Sequence, residues 1–546
     1  MIGYAGQQES ERVFNMSENQ TRAKSTRAAG IVGIAVLCSR ILGLLREAVF
    51  ASLFGAGRSL DVFLVAFRTP NLLRDLFAEG ALSMAFVTVF SKKIEKEGDE
   101  SAWRLGCKVA TLTAVFMSIV TVIGILAAPW IIWFFAPGFD AEKAAMTVLL
   151  ARIMYPFILL VSLAALVMGM LNAKHVFGMP AMASSFFNLG SIIGGALFGW
   201  WIDPEFGQRA TIGLAIGTLI GGFLQLVVQF PSLWKVGFRY RPDFQWNDEG
   251  VKQVLRLMGP AVVAASAVQV NVVVNQMFAS HLQEGAISWL QIAFRLMQLP
   301  LGIFGVAIAT VTLPMISKSV AAGKPEEFRS ILASGIRLAF LLTIPAAVGL
   351  AVLADPIISV IYERGAFNRN MTLMTAQALQ FYALGLVAYS GLKVLIPAFY
   401  ALDRRKTPMM ISFVAIGINL LANWFFTFHL GLGHRGLALS TGIVAVINFV
   451  ILYELMRRAA GGLETNMLWK GMLKMALSSG VLLGVCLFGK MYLLSGWEQM
   501  GFVESVIRLF SVIGVAAAGF FVTAELVKIP EMQEVTKLVR KKLGKR

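Results

Sequence analysis

The chain has 546 residues, of which 57% are hydrophobic and only 14% charged, at a mean hydropathy of +0.72. Soluble proteins carry about 25% charged residues, so this chain cannot cover itself in water; composition excludes a soluble enzyme or binding module and predicts an all-α polytopic membrane protein. A net charge of +17 would suggest nucleic acid in a soluble domain, but the basic residues here lie between apolar runs, where they hold connections in the cytoplasm, and no nucleic-acid partner is expected.

Residues 1–27 are polar, without the apolar stretch or cleavage site of a signal peptide, and read as a cytoplasmic segment. Met16 is an alternative start. A spanning helix needs about 20 mainly apolar residues. That rule predicts fourteen, at 28–54, 60–90, 107–136, 144–172, 178–202, 210–232, 252–280, 286–316, 330–361, 372–402, 408–430, 436–456, 471–495 and 502–527. An even number puts both termini on one side. One alternate set of connections carries most of the basic residues, from Lys92, Lys93 and Lys96 through Lys235, Arg239 and Arg241 to Arg457 and Arg458. The other holds only Arg58, Lys143, Arg209, Arg364, Arg369, Arg435 and Lys490. The basic set is expected in the cytoplasm, with both termini. Cys38, Cys107 and Cys486 are odd in number and lie in or beside apolar runs, which implies no disulfide framework.

The chain repeats itself. "FASLFGAGRSLDVFLVAFR" at 50–68 resembles "FASHLQEGAISWLQIAFR" at 278–295, and Pro180 and Pro408 stand 228 residues apart in similar settings. "GLAIGT" at 213 resembles "GLALST" at 436. The pattern predicts two six-helix lobes, 28–232 and 252–460, joined by a cytoplasmic linker at 233–251. Helices at 471–527 have no counterpart and form an appendage before a basic tail at 528–546. Each lobe has an even number of helices, so the repeats run parallel. Repeat transporters place their sites between the repeats.

Charges inside the spans are the chemical signal. An arginine at the middle of a spanning helix costs about 2.5–3.5 kcal/mol on insertion scales, yet "SRILGLLRE" (39–47) places Arg40, Arg46 and Glu47 in the first. The second carries Asp61, Arg68, Asn71, Arg74, Asp75 and Glu79, with Asn71 and Arg74 on one face beyond a kink expected at Pro70. In the second lobe Arg295 occupies the repeat position of Arg68, and Lys393 lies in the tenth span. These cations are either internal clasps paired with Glu47, Asp61, Asp75 and Glu79, or the lining of a cavity that receives an anion. Asp61 and Arg68 share a face and suit the clasp. Arg40, Arg46, Arg74 and Arg295 suit the cavity, where guanidinium forks match phosphate oxygens. Asp61, Glu79 and Lys393 are expected in support.

"SRILGLLREAVFASLFGAG…DVFLVAFRTPNLLRDLFAEGALSMAFV" resembles the opening of the MurJ (MviN) family of lipid II flippases. The resemblance continues through "AAPWIIWFFAPGF", "GPAVVAASAVQVNVVVNQMFAS", "AFRLMQLPLGIFGVAIATVTLPMISK", "YERGAF" and "LKVLIPAFYALDRRKTP", over about residues 28–460. It implies the fold of the multidrug and oligosaccharidyl-lipid exporter superfamily and a place in the bacterial inner membrane. It also implies lipid II as the partner, in peptidoglycan synthesis. By position, Arg40, Arg46, Arg74 and Arg295 line the family's cationic cavity, with Asp61 and Asn71 nearby, and the last two helices form a groove for the lipid tail. The protein is expected to work as a monomer among membrane lipids, in association with cell-wall synthesis machinery.

Two departures bear on coupling. Where relatives carry acids beside the eighth-helix arginine, this chain has Phe294 and Gln298. Some relatives bind sodium between the seventh and eleventh helices through an acid; here Asn271, Asn275, Asn419 and Asn423 are neutral. Interhelical amide bonding is the expected role of these asparagines, because hard cations prefer carboxylates, and sodium is the lesser alternative. No cofactor is expected and the coupling ion stays open. His175, His281, His429 and His434 fall at loops or helix ends, and no metalloprotease, nucleophile-elbow or P-loop motif occurs, so an enzyme is not expected. A flippase for another polyprenyl-diphosphate glycan remains an alternative, as does a multidrug antiporter, although exporting organic cations calls for an acidic cavity.

Overall fold

The computed structural model describes residues 32–76, 82–496 and 500–543. The N-terminal segment with Met16, and Glu79, lie outside the described residues. Among the described residues there are helices and connecting turns but no strand.

The helices are α1 (32–54), α2 (Arg58–Leu73), α3 (Ser83–Phe135), α4 (Ala141–Met154), α5 (Phe157–Ala173), α6 (Gly178–Ile202), α7 (Thr211–Val227) and α8 (Phe230–Lys235). They continue as α9 (Glu249–Ser280), α10 (Ala286–Pro300), α11 (Val306–Ala321), α12 (Pro325–Val352), α13 (Ala354–Tyr362), α14 (Arg369–Ala401) and α15 (Lys406–Trp424). The last four are α16 (His434–Ala459), α17 (Thr465–Phe488), α18 (Phe502–Leu526) and α19 (Pro530–Leu543).

Eleven stretches among the described residues are long and apolar enough to cross a membrane, against the fourteen expected. They match, one for one, the predictions other than 28–54, 60–90 and 252–280. The first of these runs into residues that are not described, and the second is interrupted at 77–81. The third is a continuous helix, α9, with Pro260 inside it.

Two breaks within spans follow the proline rule that a missing N–H and a steric clash open the helical ladder. The span at 144–172 divides at Pro156 into α4 and α5. The span at 286–316 divides after Pro300, where one wide π turn, Leu301–Gly305, joins α10 to α11.

The chain forms two compact units. The first comprises the chain up to Phe50, Val62–Trp133 and Ala141–Ser266; the second comprises Ala51–Asp61, Phe134–Asp140 and the chain from Ala267 onward. In the first, α6 crosses α7 at backbone contact. A Cβ on Gly217 would stand 2.3 Å from the amide nitrogen of Gly195, so only glycine fits. Small residues at four-residue spacing let membrane helices approach in this way. Around Phe86, Phe90, Leu105, Met170 and Phe238 the unit buries its main core. The second unit's core runs from Ile308 through Phe340, Phe399 and Met456 to Phe520, so α17 and α18 pack into it beside α12. Pro180 and Pro408 each stand two residues inside the start of a helix, α6 and α15, and the "GLAIGT" and "GLALST" segments open the helices that follow, α7 and α16.

Candidate substrate-binding site

In the first unit, α1 carries Arg40, exposed, and Arg46, partly buried. The helix is held against α6 where Asn188 donates its amide hydrogen to the Ser39 carbonyl at 3.1 Å, opposite Gly43. The Arg46 guanidinium lies 5.2 Å from the centre of the Phe187 ring. That ring belongs to a column in which Phe50, Phe63, Phe67, Phe157 and Phe187 touch in sequence, at centroid distances of 5.5–6.0 Å. A cation over an aromatic face gains about 0.5–2 kcal/mol, and the column fixes where the Arg46 charge sits. Spacing alone assigned Arg46 no such platform.

Along α2, Pro70 is followed by Asn71 and then by Arg74 in a widened turn at 74–76. Arg74 donates to Asp75 Oδ1 from Nη2 at 3.0 Å and from Nε at 3.3 Å, and Asn71 reaches Asp75 Oδ2 at 3.5 Å. Asn71, Arg74 and Asp75 thus form one partly buried cluster. The acid that sequence offered as a clasp is present, and it leaves about a fifth of the Arg74 side chain accessible.

Asp61 lies in the second unit and is buried. Its carboxylate accepts the N–H of Gly285 at 2.8 Å, the N–H of Ser288 at 2.9 Å and the Ser288 hydroxyl at 2.7 Å. A helix begins with N–H groups that its own ladder cannot satisfy and with partial positive charge; Asp61 supplies an anionic acceptor to the start of α10. Gly285, at φ +93°, makes the turn, and a Cβ there would stand 2.3 Å from the Ala56 carbonyl oxygen. Ser288 occupies the repeat position of Asp61, which motif matching alone did not single out. Asp61→Asn is expected to cost about 1–3 kcal/mol, because a neutral amide cannot replace charge-assisted acceptance. The melting temperature of purified protein checks this; Asp61→Glu should recover part of the loss.

Arg295 projects from α10 partly buried, Phe294 stacks edge-on against Tyr382 at 5.3 Å, and Gln298 and Lys393 are exposed. In the same unit, Asn423 donates to Asn275 Oδ1 at 2.7 Å and to Asn419 Oδ1 at 3.0 Å, and accepts from the Ser440 hydroxyl. Asn275 donates to Thr441 at 3.4 Å. These bonds join α9, α15 and α16. The Asn275 and Asn419 oxygens accept amide hydrogens and the Asn423 oxygen a hydroxyl, and the set has no carboxylate, so it does not fit a sodium site of the acidic kind. Asn271 is left with its Oδ1 buried and without a hydrogen-bond partner among the described residues. No group of histidine, cysteine and carboxylate side chains suited to a metal occurs among the described residues.

One intramembrane cation escaped the sequence reading. Arg337, in α12, is buried and pairs with Glu464 at 2.6 Å and with the buried Glu531 at the start of α19. The hydropathy run at 330–361 holds the signal, but the acids lie 127 and 194 residues away in sequence. Arg337 is therefore an architectural clasp.

Comparison with known proteins gives these residues a context. The family model described as "Lipid II flippase MurJ" matches residues 50–510. The probable lipid II flippase MurJ of Rhizobium tropici is 37% identical over 513 residues, covering 91% of this chain and 93% of its own. The lipid II flippase MurJ of Burkholderia cenocepacia is 36% identical over 438 residues, covering 79% of this chain and 84% of its own. A solved lipid II flippase MurJ in an inward closed conformation superposes with a TM-score of 0.72 at 28% identity, covering 91% of this chain and 99% of the other. An inward-facing multidrug transporter of the MATE family shares the fold alone, at a TM-score of 0.64 and 14% identity over 78% of this chain and 94% of its own. This multi-pass membrane protein belongs to the MurJ family of lipid II flippases.

Proposed function

We propose that this chain translocates lipid II from the cytoplasmic to the outer leaflet of the bacterial inner membrane, by alternating access. The observation that carries the reading is a set of arginines held within helices of a membrane bundle, Arg40, Arg46 and Arg74 in one unit and Arg295 in the other, in a chain of the MurJ family. Both termini lie in the cytoplasm, as the excess of lysine and arginine in one set of connections favours. Arg40, Arg46, Arg74 and Arg295 bind the diphosphate and the sugar–peptide head group as the protein alternates between inward-open and outward-open states. Asn71 lies beside that site, and Lys393 adds positive charge. The polyprenyl tail stays in the bilayer along α17 and α18. The protein is a transporter acting as a monomer and needs no cofactor. Expression of the chain in a bacterium depleted of its own lipid II flippase tests the reading: growth and normal shape should return, and continued lysis at normal protein levels would refute it.

An anion moving outward is favoured by a membrane potential negative inside, by about 2.3 kcal/mol per charge per 100 mV. Positions 294 and 298 hold Phe and Gln rather than acids, and Asn423 is hydrogen-bonded to Asn275 and Asn419. Transport in vesicles should therefore follow an imposed potential and be indifferent to sodium. Transport that requires sodium and survives collapse of the potential would make those asparagines ligands.

A further inference from the structure

At one end of the first unit the chain folds back on itself after α8. Residues 236–248 lie against α3 as a strap: Tyr240 Oη and Thr111 Oγ1 are 3.0 Å apart, and Asp243 donates its N–H to the same Thr111 oxygen at 3.2 Å. Arg241 donates its N–H to Cys107 Sγ at 3.5 Å, and Lys108 pairs with Asp248 at 2.9 Å. Burial disfavours the charged form of Asp248, yet Lys108 and the Gly250 N–H outweigh it and hold the carboxyl below its ordinary range.

Between this strap, α8 and the helices α3, α5 and α7 lies a cavity of about 390 Å³, walled by side chains such as Ala114, Leu166, Met170, Phe230, Trp234 and Tyr240. Its wall is apolar. At its rim Trp234 and Tyr240 are half-exposed, the arrangement amphipathic rings adopt at a membrane–water boundary. Arg239 donates from Nη1 to the carbonyls of Trp234 and Phe238, both at 3.0 Å, which fixes its charge beside the rim. Lys235 and Arg241 are exposed on either side of it.

We propose that this cavity binds an acyl chain of an anionic phospholipid, with the lipid phosphate held by Arg239, Lys235 and Arg241. An open apolar cavity within a bilayer forfeits dispersion contacts along its whole wall until something apolar fills it. Its size takes one acyl chain and only a fraction of a long polyprenyl tail. The basic rim selects an anionic head group, since basic residues at a membrane surface favour anionic lipid. A lipid seated there braces the strap that leads into α9, and so the connection between the two repeats. The site lies apart from Arg40, Arg46 and Arg74 in sequence and chemistry, and its test does not involve transport.

The full chain in nanodiscs is exposed to phosphatidylglycerol carrying a photoreactive acyl chain, and labelled residues are mapped by mass spectrometry. Labels are expected on α5, α8 and the Tyr240 segment. Unlabelled phosphatidylglycerol should compete and phosphatidylcholine should not. Joint Arg239→Glu and Arg241→Glu substitution should lower labelling about five-fold or more for each charge, and Ala114→Phe should remove it by filling the cavity. If Ala114→Phe fails to fold, the charge reversals decide, because those side chains are exposed. Equal competition by both phospholipids, or unchanged labelling in the charge-reversed protein, overturns the proposal. So does displacement by undecaprenyl phosphate as readily as by phosphatidylglycerol, which would give the cavity to a polyprenyl tail.

Discussion

Arg337→Leu should destabilise the protein by about 3–5 kcal/mol, the usual loss when one partner of a buried ion pair is removed. Arg337 and Glu531 are 7% and 4% exposed, and Glu464 is 37% exposed. Without the guanidinium, the Glu531 carboxylate is left buried and uncompensated. Reaching water then means pulling the start of α19 away from α12. The melting temperature in detergent should fall steeply, and protease sensitivity should appear first in the C-terminal helix. Combining Arg337→Leu with Glu531→Leu and Glu464→Gln should recover most of the loss, because removing a buried ion group entirely is often neutral when apolar side chains replace it. An unchanged melting curve in Arg337→Leu would show that the clasp contributes nothing.

The other large effect concerns transport. Arg74→Ala and Arg295→Ala should each abolish complementation at normal protein levels. A charge-assisted hydrogen bond is worth about 1.5–3 kcal/mol, which is about a ten- to 150-fold loss in rate if the bond forms with the moving diphosphate. Arg74→Lys should recover only part, since lysine keeps the charge but loses the planar fork that matches phosphate oxygens. The Arg74–Asp75 pair sharpens the test. If Arg74 served only to neutralise Asp75, Arg74→Ala combined with Asp75→Asn would restore growth; a site for phosphate predicts that it does not. Arg68→Ala should be tolerated better than Arg74→Ala at equal expression. Equal loss in both would give Arg68 the same part in transport as Arg74.

Much of this was legible from hydropathy and charge. Runs of apolar residues located eleven of the spans now seen as helices of sufficient length, and charges inside those runs marked Arg40, Arg46, Arg74 and Arg295. Local pairing was legible as well: Arg74 bonds its own neighbour, and Asn419 bonds Asn423 one helical turn away. What sequence hid was partnership across long separations. Asp61 shares a helix face with Arg68, but no pattern in the sequence shows that its carboxylate also caps α10 through Gly285 and Ser288, 224 and 227 residues on. Arg337 had no acid within reach along its own helix, and Phe187 offered no sign that it would receive a guanidinium. Periodicity reports which residues share a face of one helix; it says nothing about which helix that face meets.

The most direct test is lipid II translocation by the purified protein in vesicles with a potential imposed, negative inside. Lipid II is placed in the inner leaflet, and its arrival outside is read with a probe of the head group that cannot cross the membrane. Outward movement should rise with the potential and disappear in Arg295→Ala at equal insertion. Translocation no faster than in protein-free vesicles, or equal in wild type and Arg295→Ala, would contradict the proposed function.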